Sequence, residues 1–322
     1  MPRPGRSVRL SWMGNVLACF HVDRQRNHVI PVEKASTRLL PKPWGRDDLQ
    51  PWSAANAGGG KVGEIWFQRA AQDAPEPGLL LKLLFTNEPL SIQVHPDDTV
   101  AHAAGLPNGK TEAWYVLAAR SGAEVTMGLK RELTSRELRS SIDDGSIAKL
   151  VRRRSVRKDD VVFVPAGTIH AIGAGLVVAE IQQASDTTYR LFDYGRKREL
   201  HAAAAVAAAD RGIAKDQDPA RRLSDVRRLL IACPYFVLER IDLPPETRWD
   251  CDASTETWLL ALEGGARVGK LKAGVGDAFY LESDRAAVIA GPAGFTFLAA
   301  YVGDTPRPDM LSATSQNHFV EA

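Results

Sequence analysis

Apolar residues along this chain fall in short runs separated by turn-forming clusters, without sustained helical periodicity over long stretches. Gly63-Glu64-Ile65-Trp66-Phe67, Leu79 to Phe85, Ser91 to His95, Ala113 to Ala118 and Val161 to Val164 read as strands. Between them lie clusters such as Asn87-Glu88-Pro89 and Pro107-Asn108-Gly109. Many short strands punctuated in this way predict a mainly β fold, a β-sandwich or jelly roll. Within Ser91 to His95 the two-residue period puts Ser91, Gln93 and His95 on one face, with Ile92 and Val94 on the other. That polar face is either exposed outer surface or an inner face that binds something, because unpaired polar groups inside a sandwich are costly.

Helical signals interrupt the strands in three places. Thr134-Ser135-Arg136-Glu137 has the spacing of a capping box, Leu138 and Ile142 lie four apart, and Gly145 is a stop, so a helical insertion is expected near 130–152. The Ala-rich stretch Glu199 to Asp210 predicts a second helix, and Ala220 to Ala232 a third. The polar segment Arg211 to Asp218 between them is the expected domain junction. β character returns after Pro234 in Tyr235 to Ile241, Thr257 to Leu262, Ala278 to Leu281 and Phe295 to Val302. The expected organisation is therefore a first β domain over 35–215 that carries the insertion, and a smaller C-terminal β domain over 216–322. Residues 1–34 lack clear periodicity and read as an extension.

Length and composition narrow the function classes. A chain of 322 residues exceeds the usual size of one domain, about 100–150 residues. Its 44% hydrophobic and 25% charged residues are those of a globular protein. Lys and Arg number 41 against 39 Asp and Glu, a net charge of +2, so nucleic acid is not an expected partner and small molecules are. Three scattered cysteines, Cys19, Cys233 and Cys251, form no CxxC pair and fit a reducing compartment, the cytoplasm. No apolar run approaches the roughly 20 residues of a membrane span. Arg3, Arg6 and Arg9 precede the mildly apolar Leu10 to Phe20, but Ser11, Gly14 and Asn15 interrupt it, so no leader peptide is expected.

The candidate chemistry lies in three segments of the first domain. Ser91 to Asp98 supplies Gln93 and His95. Gly109-Lys110-Thr111-Glu112-Ala113-Trp114-Tyr115 feeds Lys110 and Glu112 into an apolar strand, where the carboxylate is either a metal ligand or a rim charge. In Phe163 to His170 a strand runs into a Pro-Ala-Gly turn that aims an imidazole; taken alone, His170 also has a purely structural reading. Two His, a Glu and a Gln suit zinc, and the absence of cysteine from all three segments favours a catalytic over a structural ion.

The Pro-x-Gly-x-x-His turn resembles the second metal motif of the cupin superfamily, and the chain resembles the short bacterial type I phosphomannose isomerases. The resemblance rests on Pro43-Trp44-Gly45, Gly63 to Trp66, Leu90 to Asp98, Gly109 to Tyr115, Pro165 to His170 and Glu180-Ile181-Gln182-Gln183-Ala184-Ser185-Asp186-Thr187-Thr188-Tyr189-Arg190, in the family's order over about residues 40–200. The block around Gln93-Val94-His95-Pro96-Asp97 and the one ending in Arg190 are specific; the cupin turn is generic.

The resemblance implies a cupin-type jelly roll with a second cupin-like β domain. It also implies a zinc-dependent aldose-ketose isomerase that interconverts mannose 6-phosphate and fructose 6-phosphate through a cis-enediol. One zinc ion per chain is expected on Gln93, His95, Glu112 and His170. Arg190, Lys110 and Glu180 are the expected catalytic residues, Lys82 and Ser91 the expected phosphate contacts, and Asp97 and Asp98 the caps of the following turn. A lysine beside a divalent cation has its pKa lowered toward the range of a general base. For Lys82 an edge-strand role is the alternative, for Arg190 a salt bridge, and for Glu180 an indirect hydrogen-bonding role. Monomer and homodimer both remain open. Two other functions fit the same motifs: a cupin isomerase of another sugar or sugar phosphate, and a non-catalytic sugar-binding cupin. The C-terminal domain, which has no His between His201 and His318, is expected to bind no metal and to cover apolar surface of the first domain.

Overall fold

The computed structural model describes residues 30–55, 60–71, 73–214 and 216–314. They form three antiparallel sheets with four helices. Leu79–Phe85 and Val161–Val164 are strands with the predicted bounds, and Val62–Gln68, Ile92–Val94 and Glu112–Ala119 lie within a residue or two of expectation. A six-stranded sheet runs in the order Ser36–Arg46, Val62–Gln68, Leu79–Phe85, Leu176–Gln183, Glu112–Ala119, Val161–Val164. A five-stranded sheet runs Tyr189–Phe192, Ile92–Val94, His170–Ile172, Glu124–Leu129, Val151–Ser155. The ten-stranded sheet collects the C-terminal strands.

Alternation of side chains stacks these sheets into layers. On Leu176–Gln183, Val177, Ala179 and Ile181 face the ten-stranded sheet and join a core with Leu81, Tyr115, Phe236, Leu238, Trp258 and Leu298. The C-terminal strands thus cover the apolar face of the six-stranded sheet. The opposite face turns Val178, Trp114, Val116 and Val162 toward Val125 and Ile172 of the five-stranded sheet. Ile92 and Val94 point away from that interior and pack with Leu138, Ile142 and Ala205 of the helices. Ser91 and His95 are buried and Gln93 is half-buried, so the polar face foreseen at Ser91 to His95 is an inner face.

The helix Ser135–Asp143 begins at an N-cap Thr134 with the full capping box: Thr134 Oγ1 accepts from the Glu137 N–H, and Glu137 accepts from the Thr134 N–H. Three expectations need correction. The Ala-rich helix is only Ala202–Ala208, starting beyond Glu199 and ending before Asp210. Ala220 to Ala232 is not helical; it holds the strands Arg221–Arg222 and Arg227–Ala232. There Arg227 is buried by two hydrogen bonds to Glu239 on the neighbouring strand, a cross-strand pair that local sequence does not display. Finally, Ile30–Lys34, placed in the expected extension, pairs with Ala278–Glu282 of the C-terminal sheet; residues 1–29 lie outside the described residues.

Candidate metal centre

His95, Glu112 and His170 converge between the six-stranded and five-stranded sheets, with one potential ligand atom from each lying within 4.8 Å of the others. Each arrives from a different local structure. His95 ends the alternating strand segment, with its carbonyl accepting from the Gly167 N–H at 2.8 Å. Gly167 has φ +85, which a side chain would strain, and its turn reverses the chain so that His170 pairs beside Gln93. Glu112 opens its strand with its carboxylate on the same face as Trp114, whose indole N–H donates to Oε1 at 3.1 Å.

Both imidazoles are held in one tautomer. His95 Nδ1 lies 2.7 Å from the Thr187 carbonyl and His170 Nδ1 2.8 Å from the Thr168 carbonyl, so each Nδ1–H donates outward and each Nε2 keeps its lone pair. Those Nε2 atoms point at Glu112: His95 Nε2 is 3.4 Å from Oε2 and His170 Nε2 is 3.3 Å from Oε1. His95 Nε2 is buried without any hydrogen bond, and Glu112 Oε2 faces the Lys110 ammonium. Burial, reinforced by the Lys110 charge, takes His95 down to about 3, and burial also lowers His170, so both rings favour the neutral form with the proton on Nδ1. Two imidazole lone pairs and a carboxylate converge on a site that suits a divalent cation. Outward Nδ1–H bonds to carbonyls are the usual support of metal-binding histidines.

Gln93 flanks this triangle, its amide nitrogen 3.4 Å from His170 Nε2, while Ser91 Oγ donates to Oε1 at 3.0 Å. Rotating the amide by half a turn exchanges these atoms and presents Oε1 to the centre, and the Ser91 hydroxyl can then accept instead of donate. The donor set therefore has room for a fourth oxygen ligand.

Lys110 Nζ sits 3.0 Å from Glu112 Oε2. Burial opposes its charge, but Glu112 and Glu180 outweigh burial and hold its pKa above the ordinary lysine range; the Lys110 charge in turn keeps the Glu112 carboxyl well below its usual range despite burial. Glu180, on the same face of the sheet, is pushed up to about 7, first by burial and then by Glu112. Lys82 faces it across the strand pair, Nζ 3.7 Å from Glu180 Oε1, 3.4 Å from Asp186 Oδ1 and 4.2 Å from the centre of the Trp66 ring.

A cleft of about 390 Å³ adjoins the centre at Gln93. Ser91 and Arg190 line it; Lys82 does not, but reaches it through Asp186. The Arg190 guanidinium donates to the Glu199 carbonyl at 2.8 Å, and its buried Nε has no partner. Lys42, Trp44, Arg198 and His201 also line the cleft and were absent from the expected site. Trp44 alone carried a signal, in Pro43-Trp44-Gly45. Arg198 lies over its ring at 5.0 Å, and His201 Nδ1 accepts from the Arg190 N–H, contacts that only the fold creates. Asp97 caps the helix Asp98–Ala103 by accepting from the Val100 N–H, whereas Asp98 does not cap: its carboxylate bonds to Gly109, Gln183 and Tyr235.

No family model matches the chain. Among curated proteins it is 39% identical to a mannose-6-phosphate isomerase of Streptococcus mutans over 168 residues, 50% of this chain and 53% of the relative. It is 46% identical to the mannose-6-phosphate isomerase ManA of Bacillus subtilis over 131 residues, 38% of this chain and 41% of the relative. The chain thus spans about half the length of the curated relatives it matches. The crystal structure of a mannose 6-phosphate isomerase from Bacillus subtilis superposes with a TM-score of 0.73 at 26% identity, covering 84% of this chain and 99% of that one. A phosphomannose isomerase variant from Salmonella typhimurium shares the fold with a TM-score of 0.67 at 16% identity, over 84% of this chain. By sequence over about half its length and by fold over most of it, the chain is similar to proteins named mannose-6-phosphate isomerase.

Proposed function

We propose that the chain is a zinc-dependent aldose-ketose isomerase that interconverts mannose 6-phosphate and fructose 6-phosphate. The observation that carries this reading is the convergence of two unprotonated imidazole Nε2 atoms and the Glu112 carboxylate beside a cleft that contains an arginine. The names of the relatives supply the substrate. In this reading Gln93, His95, Glu112 and His170 hold one zinc ion per chain. Bound zinc supplies Lewis-acid stabilisation of the negative charge that develops on the sugar oxygens.

The remaining steps belong to side chains. Isomerisation moves a proton between C2 and C1 through a cis-enediol, and Lys110 and Glu180 are our candidates for holding and moving protons there, because both are buried beside the ligand set. Arg190 offers a planar fork of donors to the enediolate oxygens. Ser91 and Lys82 contribute a hydroxyl and an ammonium to the phosphate; Asp186, whose side chain is 62% exposed, is the Lys82 partner that a phosphate would replace. The chain would work in the cytoplasm, where the buried thiols of Cys233 and Cys251 stay reduced.

The reading is tested by following fructose 6-phosphate formation from mannose 6-phosphate and comparing it with isomerisation of free mannose. Charge-assisted contacts are worth about 1.5–3 kcal/mol each, so two of them imply a preference for the phosphorylated sugar on the order of 100-fold or more in kcat/KM. Equal kcat/KM for the two sugars removes Lys82 and Ser91 from the phosphate role and favours an isomerase of another sugar.

A further inference from the structure

The metal ligands sit in the two N-terminal sheets, and the backbone segments beside His95 and Glu112 are fastened to the C-terminal sheet through the Asp98 carboxylate. Tyr235 lies between the strands Arg227–Ala232 and Phe236–Leu243 of the ten-stranded sheet, and its hydroxyl donates to Asp98 Oδ2 at 2.9 Å. Asp98 stands three residues after His95. Its other oxygen accepts from the Gly109 N–H at 2.7 Å and from Gln183 Nε2 at 3.1 Å. Gln183 passes the connection on, since its Oε1 accepts from the Thr111 N–H at 2.8 Å, one residue before Glu112. The Lys110 N–H closes the same loop by donating to the Pro96 carbonyl at 2.9 Å.

Glycine is required where the two segments touch. A Cβ on Gly109 would lie 2.5 Å from the Asp97 carbonyl carbon and 2.6 Å from the Asp98 nitrogen. The His95–Asp98 segment and the Gly109–Glu112 segment are therefore in backbone contact, and Asp98 bridges them. Because Asp97 already caps the helix, the Asp98 carboxylate is free for this bridge.

We propose that Asp98 and Tyr235 are positioning residues for the metal centre: Asp98 sets the spacing between His95 and Glu112, and Tyr235 ties that spacing to the C-terminal sheet. The inference rests on the metal-centre reading above. It assigns the C-terminal sheet a part in metal affinity in addition to covering apolar surface.

The test measures zinc affinity by competition with a chromophoric chelator in the full chain and in three variants, together with kcat, KM and the melting temperature of the metal-free protein. Loss of a supporting partner of a metal ligand costs about 10–100-fold in affinity or activity. Asp98→Ala, which removes every acceptor, should weaken zinc binding by about tenfold or more and lower kcat more than it raises KM. Asp98→Asn keeps an oxygen for Gly109 and Gln183 and should restore affinity to within about threefold of the parent. Tyr235→Phe deletes one hydroxyl from a half-buried ring and should weaken zinc binding by a few-fold; it carries the test if Asp98→Ala does not fold. A lowered melting temperature with zinc affinity unchanged in the folded variants overturns the proposal, because it marks a role in stability alone. A parent chain that binds no zinc overturns the metal reading and this inference together, whereas a zinc-binding parent with equally tight variants overturns this inference only.

Discussion

His170→Ala should cost the protein its metal and its isomerase activity while leaving the metal-free fold in place. His170 is buried and neutral, so its removal strands no charge, and it leaves fewer acceptors crowded around Glu112. Its Nδ1–H bond to Thr168 lies within its own turn, which the Gly167 contacts with His95 and Asp210 continue to hold. Losing one of three strong donors should reduce zinc affinity by more than about 100-fold, beyond the upper end of what losing a mere supporting partner costs. Calorimetric zinc titration of the folded variant checks this. Affinity equal to that of the parent would remove His170 from the ligand set.

Arg190→Ala should separate chemistry from metal binding. The guanidinium lines the cleft, keeps its buried Nε free of partners and is tethered only through the Glu199 carbonyl. Burial and the neighbouring Arg198 charge lower its pKa. Removing a donor that stabilises developing negative charge costs on the order of 100 to 1,000-fold in kcat. Zinc affinity should stay at the parent value, and Arg190→Lys should recover only part of the rate, since an ammonium lacks the planar fork. Steady-state kinetics on zinc-loaded protein decide it; an unchanged kcat would leave Arg190 a structural role through its bond to the Glu199 carbonyl, since it makes no salt bridge among the described residues.

The parts of the site that share a strand or a turn were legible in the sequence. Alternation at Ser91 to His95 shows which side chains share a face, but that the polar face is internal is decided by the six-stranded sheet packed over it, while the helices cover Ile92 and Val94. The Pro-Ala-Gly turn before His170 and the capping box at Thr134 depend on neighbours within a few residues, and both form as their spacing predicts. What remained hidden depends on distant partners. Arg227 and Arg228 disguise a strand because the first is buried against Glu239 on the neighbouring strand. Of Asp284–Val302 only the end, Phe295 to Val302, was expected as a strand, because Gly291-Pro292 and Gly294 interrupt the run; its first part pairs with Arg248–Ala253 and its last with Phe236–Leu243. Asp98 read as a turn cap for the same reason: the Tyr235 hydroxyl that reveals its role is 137 residues away.

The most direct measurement of the central claim is mannose 6-phosphate to fructose 6-phosphate conversion by one preparation as purified, after chelation and after zinc is restored. The account predicts activity that disappears with the metal and returns with it, since the three acceptors of His95, Glu112 and His170 stay folded in place but lack a cation. Activity that survives complete removal of the metal, or a folded, zinc-loaded protein that converts no mannose 6-phosphate, would contradict it.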